Sequence, residues 1–111
     1  GDTIDFDATL TIGANTNAAA ATKAKVDAQG LATFHADDDT LAERVVALEG
    51  GINAGGTAAD GQYAFGEHGG NTYVFLSDGT DGIGANDILI KLTGVTGLTT
   101  STISGGNTIL T

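Results

Sequence analysis

Gln62-Tyr63-Ala64-Phe65-Gly66-Glu67 and Thr72-Tyr73-Val74-Phe75-Leu76, joined by His68-Gly69-Gly70-Asn71, are the stretch whose reading decides the fold. Aromatic and β-branched residues dominate both arms, as they do in strands. The glycine pair between them suits a tight reversal, because glycine alone adopts positive φ freely. The two arms therefore predict an antiparallel hairpin at the centre of the chain.

Toward the C-terminus, Ser77 to Asn86 is a turn region carrying Gly79, Gly82 and Gly84. Asp87-Ile88-Leu89-Ile90-Lys91-Leu92-Thr93 follows as a strand, with Ile88, Ile90 and Leu92 on one face and Leu89 on the other. Ile109 and Leu110 supply a closing strand. From Leu92 to Thr111 no residue is charged, a sharp change in a chain this acidic. A buried or edge-pairing terminal strand with uncharged loops accounts for such a tail.

Toward the N-terminus, Thr40 and Glu43 form a capping box ahead of an apolar stripe at Leu41, Val45 and Leu48. A helix over Thr40–Glu49 is expected, with Asp37, Asp38 and Asp39 at its positive end and Gly50 just past its last turn. Gly50 to Gly61 then reads as a loop. Ala24–Ala28 and Leu31–Ala36 alternate on either side of Gln29-Gly30 and predict a second hairpin. Ala18–Ala21 has the composition of a helix start. Gly1–Ile12 alternates as one or two half-buried strands, and residues 13–17 are a turn cluster.

With 111 residues the chain is one domain, and its core is thin: six aromatics and no Trp, Met, Cys or Pro. The expected architecture is mainly β: a small β-sandwich or β-roll-like domain of roughly six to eight strands, with one α-helix packed on it. Tyr73, Phe75, Ile88, Ile90 and Phe34 are expected to meet the helix or a facing sheet. The net charge of -10, from 14 acidic and four basic residues, argues against nucleic acid and anionic membranes as partners. No run has the length of a membrane span, so no membrane insertion is expected. The absence of cysteine removes disulfides, thiolate metal sites and thiol nucleophiles. It suits an exported chain stabilised by calcium, and a cytosolic one as well.

Asp78, Asp81 and Asp87 place three carboxylates within ten residues, separated by glycines. Calcium takes six to eight oxygens at flexible geometry, and such a loop offers carboxylates and backbone carbonyls. The same aspartates also shape turns through their own hydrogen bonds. Asp2, Asp5 and Asp7 form a solvated strand face, or ligate an ion together with a preceding segment. His35 and His68 have no Ser or Cys partner in a motif, and no zinc-protease, nucleophile-elbow or phosphate-loop pattern is present. The expectation is a non-catalytic chain. A sugar-binding module using Asp78, Asp81 and Tyr63 or Tyr73 is a further alternative.

Gly69-Gly70-Asn71-Thr72-Tyr73-Val74-Phe75-Leu76-Ser77-Asp78-Gly79-Thr80-Asp81-Gly82, followed by Asn86-Asp87-Ile88-Leu89-Ile90-Lys91-Leu92-Thr93-Gly94-Val95, resembles the C-terminal ends of repeats-in-toxin proteins. The likeness is closest to surface-layer and adhesin-like members exported by type I ABC systems. The opening Gly1-Asp2-Thr3-Ile4-Asp5-Phe6 resembles the strand that often follows their calcium-binding repeats, and the hairpin over Val26–Phe34 and the helix fit the same layout. The tandem nonapeptide repeats are absent from this sequence. The resemblance implies an extracellular, cell-surface location and an uncleaved export signal within about 92–111. It implies calcium as cofactor and an assembly role at the end of a surface-layer or fibre protein. The implied partners are copies of itself, upstream domains of the same protein, and the type I exporter during secretion. The alternative it leaves is an accessory secretion and folding tail of a secreted calcium-dependent hydrolase.

Overall fold

The computed structural model describes residues 3–54 and 60–111. Asp2 and residues 55–59 of the Gly/Ala-rich loop lie outside the described residues. Nine strands and one helix are defined: β1 Thr3–Asp5, β2 Thr11–Ile12, β3 Lys25–Val26, β4 Ala32–Thr33, α1 Leu41–Asn53, β5 Asp60–His68, β6 Asn71–Asp78, β7 Ile88–Leu92, β8 Thr102–Ser104 and β9 Thr108–Leu110. The protein is mainly β with one helix packed on its sheet. Among the described residues several of the nine strands are only two or three residues long.

The β5–β6 hairpin is the centre. Tyr63 lies opposite Leu76 and Phe65 opposite Val74. Gly69 and Gly70 make the reversal with φ of 58° and 83°. The four-stranded sheet runs β2-β5-β6-β7, and β2 lies parallel to β5 at one edge. Both faces of β6 are buried, so its apolar run is continuous instead of alternating.

On one face, Tyr63, Phe65, Val74 and Leu76 pack against Ile4, Phe6, Leu10 and Ile109. These last residues come from both ends of the chain, where β9 sits between β1 and β8 in a second sheet and Ile4 is paired with Ile109. On the opposite face, Ala64 and Phe75 pack against Val26, Leu48 and Ile52 of the β3–β4 hairpin and α1. The central sheet is thus sandwiched between a small sheet and a helix-plus-hairpin layer.

The capping box at Thr40 forms as the sequence predicts. The Thr40 hydroxyl, donating to the Glu43 carboxylate 2.8 Å away, holds that carboxyl below its ordinary range. The helix does not stop before Gly50. It continues to Asn53, and Gly50 and Gly51 lie inside it. A Cβ on Gly50 would strike the carbonyl oxygen of Thr22, and one on Gly51 that of Ala24. These glycines permit close approach of the 22–24 backbone rather than ending the helix. As a result the fully buried face is Ala47, Leu48, Gly51 and Ile52, while Leu41 and Val45 are only half-buried.

Ala18–Ala21 does not start a helix. Ala20 bridges Lys23 through two backbone hydrogen bonds, and Thr22 has a φ of 65°. The carboxylate of buried Asp38 accepts the Thr22 N–H, which holds this turn. Asp38 therefore points inward to another loop, not only toward the helix end. Ile88 does not meet the helix or a facing sheet as expected. Ile90 and Leu92 pack on the first cluster, but Ile88, at the open end of that face, is 42 % exposed.

Candidate functional site

The loop between β6 and β7 carries Asp78, Asp81 and Asp87. Asp87 is its anchor: one carboxylate oxygen accepts the N–H of Asp78 at 2.8 Å, and the other accepts that of Gly84 at 2.7 Å. Asp78 in turn accepts the Thr80 N–H at 2.9 Å. Each bond holds the glycine-rich chain in a tight return, which is the turn-shaping role of aspartate.

Two of the three carboxylates lie near Gly84. Oδ2 of Asp78 and Oδ2 of Asp87 lie 3.9 and 4.0 Å from the point a Cβ on Gly84 would occupy. Asp81 is exposed and stands outside this network. Among the described residues no group of three or more His, Cys, Asp or Glu side chains has the arrangement of a metal centre. Carboxylate oxygens that accept one N–H retain a further lone pair. Asp78 and Asp87 therefore keep acceptor capacity near Gly84, and Asp81 is not brought to them.

Glu49 of α1 reaches this loop, accepting the Gly82 N–H at 2.7 Å and the side-chain N–H of Asn53. Nothing in the sequence marks that contact, because 33 residues separate its partners. Asp5 and Asp7 are exposed, and Asp5 accepts the Thr108 hydroxyl at 2.9 Å. His35 takes the Asp37 N–H on Nδ1 at 3.1 Å.

Both tyrosines are interior: Tyr63 is fully buried and Tyr73 is 8 % exposed. Neither ring is available as a platform for a sugar, which removes that alternative as it was drawn. Tyr63 is packed edge-on against Phe65, with ring centroids 5.6 Å apart.

The loop leads directly into β7, the outer strand of the four-stranded sheet. Among the described residues no strand pairs with its outer side. Ile88 and Leu89 are 42 % and 45 % exposed there, and Ile83 in the preceding loop is 52 % exposed. An edge strand of this kind presents unpaired N–H and C=O groups beside apolar side chains.

The uncharged tail is tied down elsewhere. The Thr72 hydroxyl donates to Val95 O at 2.7 Å, Gly94 N–H to Asn71 and Gly97 N–H to Glu67. The tail then forms β8 and β9 and closes on β1.

Compared with known proteins, the chain matches no family model, no curated protein and no solved structure.

Proposed function

We propose that this chain is an extracellular structural and assembly module, the C-terminal part of a type I-secreted bacterial cell-surface protein of the surface-layer or fibre type, and that calcium promotes its assembly. The observation that carries this reading is the open edge strand β7, with Ile88 and Leu89 exposed beside the Asp78–Asp87 loop. A chain with a net charge of -10 resists contact with its own copies. A divalent cation held by Asp78 and Asp87 lowers that charge next to the edge on which copies would meet.

The likeness of residues 66–95 to repeats-in-toxin C-terminal ends supports export by a type I system. On this reading the uncharged tail serves the exporter before folding. Afterward it closes the small sheet, where Ile109 is fully buried. Catalysis is not assigned to this chain.

Sedimentation velocity in about 5–10 mM calcium and then in EDTA tests the reading, the millimolar range being that of weak extracellular sites. Calcium-dependent, reversible growth into large assemblies is expected. A compact monomer under both conditions overturns assembly by this domain and favours the accessory tail of a secreted hydrolase.

A further inference from the structure

We propose that β7 is the contact between two copies of this chain, paired antiparallel about a two-fold axis, with Leu89 opposite the partner's Leu89 and each Lys91 opposite the partner's Asp87. The choice of a second copy as occupant rests on the assembly reading above; the register rests on charge.

The edge itself is suited to strand addition. β7 pairs with β6 in unbroken register from Ile88 to Leu92, with no bulge to turn it away. Its outer side is open, and two four-stranded sheets joined there make one sheet of eight, within the range of open sheets. A two-fold antiparallel contact is self-complementary, so one edge suffices for both copies.

The charges select the alignment. The chain has only four basic residues, and one of them, Lys91, is exposed on this strand. Leu89 and Lys91 fall on one side of β7, and Asp87 immediately precedes the strand. Centring the pair on Leu89 sets Lys91 against the partner's Asp87 twice and Ile88 against the partner's Ile90 twice. Centring it on Ile90 sets Leu89 against Lys91 and leaves Asp87 opposite Thr93. Centring it on Lys91 sets like charges face to face, which is unfavourable. Lys91 thus guards the edge against wrong registers and supports one of them. The Asp87 carboxylate accepts the N–H groups of Asp78 and Gly84 of its own chain and keeps lone pairs that a lysine can use.

The test uses the absence of native cysteine. Opposed residues in an antiparallel pair have Cα atoms about 4.5–5.5 Å apart, within the roughly 4.4–6.8 Å span of a disulfide. Leu89→Cys, oxidised mildly in EDTA and about 0.15 M salt, is expected to form a covalent dimer at least about tenfold faster than Leu110→Cys, a similarly exposed leucine on the other sheet. Lys91→Glu in the Leu89→Cys background is expected to slow it about tenfold, since two attractive pairs become repulsive. Circular dichroism confirms that each variant is folded. Cross-linking of Leu89→Cys no faster than Leu110→Cys, with a wild type that still grows in calcium, overturns this contact and leaves the assembly reading standing. An unchanged rate with Lys91→Glu overturns the register. Fast cross-linking with a wild type that stays small in calcium supports the contact and overturns the larger assembly.

Discussion

The hydroxyl of Tyr63 lies 3.0 Å from Oγ of Ser101, inside the molecule, and the Ser101 hydroxyl donates onward to the carbonyl of Gln29. Because Ser101 spends its proton on Gln29, Tyr63 is the donor in the first bond. Three segments far apart in sequence meet here: the central hairpin, the uncharged tail and the turn between β3 and β4.

Burial pushes the Tyr63 phenol above its ordinary value. The unfolded phenol ionises near about 10. Above that pH the unfolded chain holds fewer protons than the folded one, so stability falls as pH rises toward the folded pKa. Tyr63→Phe is expected to cost about 0.5–1.5 kcal/mol at neutral pH for the lost hydrogen bond. It should also flatten the decline above about pH 10. Urea melts of both proteins from pH 7 to 11 check the two effects together.

Gly50→Ala tests the fit of the helix against the 22–24 turn. In an ordinary helix this change stabilises by about 1 kcal/mol. Here the added methyl meets the Thr22 carbonyl, and overpacking of that kind costs roughly 1–3 kcal/mol. A lowered melting temperature is expected; a raised one would show that the turn does not lie against the helix.

Leu48→Asp puts a carboxylate where Leu48 is 1 % exposed, packed with Ala64 and Phe75 of the sheet. It removes about 1.5–3 kcal/mol of apolar burial and adds an unpaired buried charge. The expected result is loss of the cooperative thermal transition. A melt as high as the parent's would remove α1 from the core.

Asp78→Asn and Asp81→Asn separate the two kinds of aspartate in the 78–87 loop. Of these two, only Asp78 comes with Asp87 within about 4 Å of the Gly84 Cβ position. Calcium titration by calorimetry is expected to weaken about tenfold, some 1.4 kcal/mol, with Asp78→Asn and to change little with Asp81→Asn. Equal effects would mean that calcium responds to net charge and not to a site.

The hairpin over Gln62–Leu76, the strand at Ile88–Leu92 and the capped start of α1 were legible because each is a local pattern. A glycine pair between aromatic arms, period-two apolar residues and a Thr-x-x-Glu box act over a few residues, so the chain advertises them. The exposed side of β7 was half legible: alternation placed Leu89 away from Ile88 and Ile90, but nothing local said that β7 is the outermost strand.

What the sequence determined alone is therefore a mainly β domain, one helix, an acidic loop at 78–87 and an uncharged tail. Everything that depends on partners distant in the chain emerges only on folding. The helix runs through Gly50 and Gly51 because the 22–24 backbone presses on it, and no short pattern distinguishes a glycine that ends a helix from one that admits a neighbour. Glu49 reaches Gly82, and β9 closes on β1, through contacts that burial and hydrogen bonding reward only after the chain has folded. Asp78 and Asp87 both come near Gly84 while Asp81 does not, because the direction of a side chain in a turn follows from which backbone N–H groups it caps. Spacing in the sequence lists the carboxylates; the fold decides which of them meet.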